Sequence, residues 1–357
     1  MQFQINSKEL LKVTKLAKKV INKKSCLPIL TCLKVDISKD KVDFSCTDLE
    51  VSLIISVPCL TEGQGSFTIP LKAIEGPKAK AGEISFKCTE GNIEIQNRAG
   101  KLSIKGENVS DFPSMPYDKT PYSLAEDFLE KLAGCLPAVS TDESRYALNG
   151  ICLRNNAIVS TDGRRLHVFK VNNPDVFTVA DDSGIILPSK SAKVLLSVAK
   201  LADGDGIMAG INVKANSKKK RKPTKVKEPT RITFQAGNII LSSRLIEGHF
   251  PHYEQVIPDD TKTAVKLNNK QLTDALSNSL DYLSEKNESV TMFFNADKKK
   301  GMLDIYTHNT DGMGRYYSDF PFSADNLVKS FGFEINPKYI LGVLKVVNDD
   351  EILIKFS

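Results

Sequence analysis

Phe3-Gln4-Ile5-Asn6 opens the chain with an apolar–polar–apolar triplet followed by an asparagine. The alternation marks a strand with one buried side, and the asparagine marks the start of a helix. Beyond it, Leu10, Val13, Leu16-Ala17 and Val20-Ile21 recur at helical spacing, which predicts a helix over roughly Ser7 to Ile21. The same cue returns at Phe67-Thr68-Ile69-Pro70, Tyr122-Ser123-Leu124-Ala125, Ile185-Ile186-Leu187-Pro188, Val265-Lys266-Leu267-Asn268 and Phe333-Glu334-Ile335-Asn336. Alternating runs follow the helical stretches, among them Lys41 to Phe44, Ile93 to Gln96, Leu102 to Lys105 and Ile232 to Phe234. Each unit is therefore strand, helix, then strands, and an internal repeat of this kind organises the whole reading. The class is α+β: six half-repeats pairing into three similar domains.

A second marker supports a threefold duplication. A Thr-Asp step follows a strand-like run in each odd unit, at Thr47-Asp48, Thr161-Asp162 and Thr310-Asp311. Proline-rich polar segments at Asp111 to Pro121 and Phe250 to Thr263 place the domains at 1–120, 121–260 and 261–357. The last unit begins at Phe333, close to the final residue Ser357. Two closing strands of the earlier domains are expected to be absent from it. The exposed edge that results should be covered in another way, or the chain is a shortened version of its parent.

The composition excludes several classes. No apolar run reaches the ~18 residues of a membrane span, and Met1 to Lys19 mixes lysines with apolar residues, unlike a secretory signal. The seven cysteines, Cys26, Cys32, Cys46, Cys59, Cys88, Cys135 and Cys152, are odd in number and lack C-x-x-C spacing, which suits free thiols in a reducing cytoplasm. The four histidines show no metal-ligand spacing, so neither metal nor cofactor is expected. No nucleophile motif, Walker loop or dinucleotide turn is present, and the once-per-domain aspartates read as turn chemistry, so a non-catalytic protein is expected.

The net charge of +6 is unevenly spread. Lys214 to Arg231 holds nine basic residues and Glu228, so the rest of the chain is slightly acidic. This insertion, with Lys218-Lys219-Lys220-Arg221-Lys222 between strand-like segments, reads as a solvated loop or an auxiliary DNA contact. Lys8, Lys12, Lys15 and Lys19 line the polar face of the first helix, and Lys190, Lys193 and Lys200 repeat the arrangement in the fourth unit. A lysine stripe is ordinarily a solvated face. Yet the repeat position at the helix N-terminus, where a cation opposes the helix dipole, is Lys8, Lys72, Lys190, Lys270 and Lys338 in five units and Asp127 in the third. Repetition of that choice points to a shared anion, held by ammonium groups and free helix N–H groups together, and phosphates of a nucleic-acid backbone fit. Such contacts would be sequence-independent. The scattered aromatics argue against a single-strand stacking platform.

Further motifs are Leu27-Pro28-Ile29-Leu30, Thr47-Asp48-Leu49-Glu50, Asp111-Phe112-Pro113, Arg145-Tyr146-Ala147-Leu148-Asn149-Gly150, Thr161-Asp162-Gly163-Arg164-Arg165-Leu166 and Phe250-Pro251-His252-Tyr253. In this order and over nearly the whole chain, they resemble the beta sliding clamp family of bacterial DNA polymerase III. The resemblance implies the DNA clamp fold, with helices inside and sheets outside a ring made by a head-to-tail homodimer. It implies double-stranded DNA as one partner. DNA polymerase, the clamp loader and repair proteins would be others, bound through short peptide motifs. Carried over residue by residue, the peptide cleft would use Leu148, Thr161, Gly163, Arg164, Arg165, Leu166, Pro251 and Val256. DNA would meet Lys24, Arg145, Tyr146 and Lys190, beside Lys8, Lys12, Lys15, Lys19 and Lys193 from the stripe. The dimer contact would use Leu102 and Ile104 on one side and Tyr282 and Leu283 on the other; both pairs also fit ordinary cores. Two departures stand out: the family's two further strands and Met-Pro tail are missing, and the basic insertion is unusual. The expected function is a processivity clamp. A clamp-like peptide-binding adaptor that cannot close is the alternative, and an open accessory factor gripping DNA through Lys218 to Lys227 is a third reading.

Overall fold

A computed structural model of the chain describes all residues except 76–81, 99, 174–175, 178–183, 203–205, 212–228, 262, 285–287, 297–300, 308–313 and 326–328. Most of the basic insertion and the third Thr-Asp step therefore lie outside the described residues. The first domain runs β1 (Gln2–Asn6), α1 (Ser7–Val20), β2 (Cys32–Ile37), β3 (Lys41–Thr47), β4 (Val51–Pro58), β5 (Thr61–Glu62), β6 (Gly65–Pro70), α2 (Leu71–Ile74), β7 (Glu83–Thr89), β8 (Asn92–Asn97) and β9 (Gly100–Lys105). The second runs β10 (Tyr122–Ser123), α3 (Phe128–Cys135), β11 (Gly150–Leu153), β12 (Ala157–Thr161), β13 (Leu166–Lys170), β14 (Ile185–Pro188), α4 (Ser189–Ala199), β15 (Met208–Ile211), β16 (Arg231–Ala236) and β17 (Ile239–Arg244). The third runs β18 (Thr263–Asn268), α5 (Asn269–Ser279), β19 (Val290–Asn295), β20 (Gly301–Thr307), β21 (Tyr317–Asp325), β22 (Phe331–Ile335), α6 (Pro337–Leu344) and β23 (Glu351–Phe356).

Five of the triplets lie wholly in strands, the third contributes only Tyr122–Ser123, and a helix follows each. The residue after the triplet is the last of its strand at Asn6, Pro70, Pro188 and Asn268, and in three units an asparagine at this position caps the helix. The side chains of Asn6 and Asn336 accept the backbone N–H groups of Lys8 (2.9 Å) and Lys338 (3.0 Å), and Asn268 accepts that of Gln271 (3.0 Å). These caps correct one element of the sequence reading. In those three helices an N–H group expected to be shared with an external anion already has an internal acceptor.

Strand pairing exchanges the halves of each domain. β1 pairs with β7 while β6 pairs with β2. The same exchange links β10 with β15 and β14 with β11, then β18 with β23 and β22 with β19. In the first domain β8 and β9 continue the sheet beyond β7. In the second, β16 and β17 continue it beyond β15, and β17 then pairs with β4 to join two domains in one eight-stranded sheet. In the third, β23 ends its six-stranded sheet, and no described strand pairs with its outer edge. The expected cover for that edge is not found among the described residues.

Contacts group the chain into two compact units. One comprises Met1–Leu129, Asp142–Ile158 and Lys170–Phe250; the other comprises Glu130–Thr141, Val159–Phe169 and Pro251–Ser357. In the first unit α1 buries Leu10, Val13, Leu16, Ala17 and Val20 beside β3 and β4, while α4 packs on β14, β16 and β17. An aromatic hub anchors its first-domain core: Phe3 stacks on Phe86 at 4.7 Å and meets Phe44 edge-on at 6.0 Å. Such a pair adds roughly 0.5–1.5 kcal/mol beyond its area burial. Phe294 has the corresponding place in the second unit, among Phe322, Phe331, Phe333 and Phe356.

Candidate functional site

The Thr161–Leu166 turn is built by its own side chains. Thr161 Oγ1 donates to the Arg165 carbonyl at 2.7 Å and accepts from the Gly163 N–H at 3.1 Å. Asp162 Oδ1 accepts the N–H groups of Arg164 (2.9 Å) and Arg165 (3.0 Å). Gly163 sits at φ +83°, in the left-handed region that glycine enters at no steric cost. Burial opposes the ionised Asp162 carboxyl, but those two N–H groups and the Arg165 guanidinium outweigh it and hold the group below the usual carboxylate range.

Arg165 is thereby fixed. Its Nε meets Asp162 Oδ2 at 3.1 Å, its Nη2 donates to the Pro137 carbonyl, and its guanidinium lies 4.4 Å from the centre of the Tyr339 ring. The next side chain but one, His167, is buried, with Nδ1 2.8 Å from the Gly134 carbonyl oxygen. Burial holds its pKa below the ordinary imidazole value, with the Gly134 bond opposing that shift. Together these residues wall a cavity of about 770 Å³ within the second unit, completed by Tyr339, Val343 and Val347 around α6 and by Leu353 and Ile354 of β23. Its lining is chiefly apolar, with Arg164 and Arg165 as cations and Asp349 and Glu351 as acids. It suits a short peptide with apolar side chains and a group that accepts from an arginine.

Of the eight residues expected in a peptide cleft, Arg164, Arg165 and Leu166 line this cavity, while Thr161 and Gly163 build the turn behind them. Pro251 and Val256 do not line it and are exposed, Val256 by 70%. Leu148 is half-buried and belongs to the other compact unit. Sequence reasoning missed Tyr339, Val343 and Leu353, whose only signal was the helix-and-strand pattern of the sixth repeat.

The lysine face lies in the first unit. Lys8, Lys15, Lys19 and Lys24 are exposed, and Lys12 pairs with Glu9 at 3.1 Å. Lys193 is exposed on α4. Lys190 is held internally: its ammonium meets the Asp48 carboxylate and donates to the Val20 carbonyl at 3.3 Å. Arg145 lies 3.7 Å from Asp142, and the Tyr146 ring is 60% exposed. Leu102 and Ile104 are half-buried on β9, the end strand of its sheet. Tyr282 stacks on Tyr316 at 5.7 Å, and Leu283 packs against the third-domain core. Among the described residues no group of histidine, cysteine or acidic side chains could hold a metal ion, and no helix is long and apolar enough to cross a membrane.

Family models match the chain in three consecutive blocks. The N-terminal domain of the DNA polymerase III beta subunit matches residues 1–116, the central domain 126–252 and the C-terminal domain 254–357. The beta sliding clamp of Rickettsia felis is 24% identical over 99% of this chain and 92% of its own length. That of Chlamydia muridarum is 24% identical over 100% and 93%. Among solved structures, the Caulobacter crescentus beta sliding clamp superposes with a TM-score of 0.83 at 22% identity, covering 100% of this chain and 93% of that one. The Bacillus subtilis sliding clamp gives 0.82 at 22% identity, with the same coverage. By its fold, its three repeated domains and these matches along its full length, the chain belongs to the DNA polymerase III beta subunit family.

Proposed function

We propose that this chain is a non-catalytic DNA sliding clamp of the cytoplasm, which encircles duplex DNA as a head-to-tail homodimer and tethers a polymerase and other replication proteins. The observation that carries the reading is the joint between β17 and β4. It makes the last strand of one domain hydrogen-bond to the fourth strand of another, Ile239 to Ile55 through Ser243 to Val51. β9 is the repeat equivalent of β17, and β21 is the equivalent of β4. β9 ends its sheet, and Tyr317 at the start of β21 is 60% exposed. The same joint made between β9 of one copy and β21 of a second would close a ring twice over. Family matches across all three domains favour this reading over the adaptor.

The lysines of α1 and α4 suit phosphate contacts that hold DNA without reading its sequence. The Arg165 cavity suits the peptide motifs of partners, whose effective concentration at a primer end the tether would raise. The domain limits 1–120, 121–260 and 261–357 belong to the same proposal. The test is retention on DNA after loading. The protein should stay on a closed circle through a gel-filtration column and run off once the circle is cut. Equal retention on linear DNA defeats encirclement, and a persistent monomer in sedimentation at micromolar concentration defeats the homodimer.

A further inference from the structure

Within the lysine-bearing surface of the first unit sits one carboxylate that no sequence pattern marked. Glu75 directly follows α2, and its side chain is only 16% exposed. Its Oε2 lies 3.0 Å from Lys23 Nζ, and its Oε1 lies 3.9 Å from Lys18 Nζ. Oε1 is buried and accepts no hydrogen bond among the described residues. The carboxylate's charge is therefore compensated chiefly by the hydrogen-bonded Lys23 ammonium and more weakly by that of Lys18; these two lysine side chains are 64% and 45% exposed. Lys18 lies in the last turn of α1 and Lys23 just beyond its end, and the nearby Lys15, Lys19 and Lys24 are exposed and carry no ion pair among the described residues.

We infer that Glu75 is a built-in counter-ion that withholds Lys18 and Lys23 from the phosphate backbone, and so sets how strongly this surface grips DNA. The reasoning is electrostatic. For a phosphate to recruit either ammonium, a largely buried carboxylate must be left with part of its charge unbalanced. An exposed ammonium such as Lys15 or Lys19 gives up only water and loosely held counter-ions. The helix face thus holds two classes of lysine, free and already neutralised, and only the free class adds to the salt dependence of binding. For a protein that must hold a duplex yet move along it, quenching two cations at a fixed position limits the grip. This inference rests on the proposed DNA contact of α1.

The experiment measures binding of a short linear duplex by fluorescence anisotropy, over a series of salt concentrations, for the full chain. Glu75→Gln should tighten binding at low salt and steepen the log K against log salt slope by up to about 1.8, since each added phosphate contact contributes about 0.9. Adding Lys18→Gln and Lys23→Gln to that variant should remove the increase. In the parent chain, the same two lysine changes should leave the slope where it was, and this arm stands even if Glu75→Gln folds poorly. A parallel slope for Glu75→Gln, or a slope reduced by Lys18→Gln/Lys23→Gln alone, overturns the inference. Lys15→Ala/Lys19→Ala serves as the control for the underlying reading. If that pair leaves affinity and slope unchanged, the DNA-facing assignment of α1 fails instead.

Discussion

The turn Thr47–Val51 in the first domain and the turn Thr161–Arg165 in the second are the same device put to two uses. In each, the threonine hydroxyl donates to the carbonyl four residues on, at 2.9 Å to Val51 and 2.7 Å to Arg165. In each, the aspartate accepts the N–H groups two and three residues on. The third residue has positive φ in both, Leu49 at +79° and Gly163 at +83°. The difference lies in what comes next. Asp48 reaches Lys190 of a different half-repeat, the Arg244 N–H donates to the Glu50 carbonyl at 2.8 Å, and β17 covers β4. Asp162 keeps its own Arg165, and β13 ends its sheet with no described strand on its outer side. One turn has become a joint, the other the wall of a cavity. An identical backbone solution leaves function to be set by the neighbour that arrives or does not.

Arg165→Ala should have the largest effect on this contrast. It removes the one cation fixed by the turn, and affinity for a short apolar peptide with one carboxylate should fall on the order of 100-fold by calorimetry, as for an interface hot spot. Undiminished peptide affinity would detach the turn from the cavity. Asp162→Ala should cost about 2 kcal/mol in urea unfolding at pH 7, because two backbone N–H groups lose a charged acceptor. The sign of the pH dependence follows from the lowered pKa of Asp162. Its contribution is present above the unfolded value near 3.9 and is lost as pH falls through the folded one. The deficit of the variant should therefore shrink in acid; a constant deficit would rule out the carboxylate as its source.

Exchanging the positive-φ residues sharpens the comparison further. Gly163→Leu should destabilise by about 1 kcal/mol and Leu49→Gly should stabilise by a similar amount, since a left-handed conformation costs an L-residue about 1–2 kcal/mol. Opposite signs in thermal melts are the expected result, and like signs would mean that local packing outweighs backbone strain. The smallest effect should come from Arg244→Ala. The Arg244–Glu50 pair at 3.3 Å is exposed on both sides, so its loss should cost under about 0.5 kcal/mol. A larger loss would make that ion pair, and not strand pairing, the substance of the joint.

The repeat was legible because its signal is local. A triplet such as Phe3-Gln4-Ile5 and a cap such as Asn6 are fixed by neighbours a few residues away. The Thr-Asp turn was legible for the same reason. Tyr339, Val343 and Leu353 were not, since apolar residues at helical or alternating spacing look alike whether they face a core or a cavity. Glu75 was hidden because its lysines stand more than fifty residues earlier, and only packing of α1 beside α2 brings the charges together. Lys190 was read from its position at a helix start, yet its partner Asp48 comes from a different half-repeat.

Exchange of strands between halves makes each domain indivisible. β1 completes the sheet of β7, and β6 completes that of β2, so a cut between the two helices of one domain orphans a strand on each fragment. A cut in the linker between the first two domains breaks no such exchange, although it leaves β4 and β17 to pair across separate fragments. Gene fusion, permutation or shuffling of this architecture should therefore tolerate breakpoints only at intervals of two helices, and any ancestor built from a single half must have met its own twin before it could hold a shape.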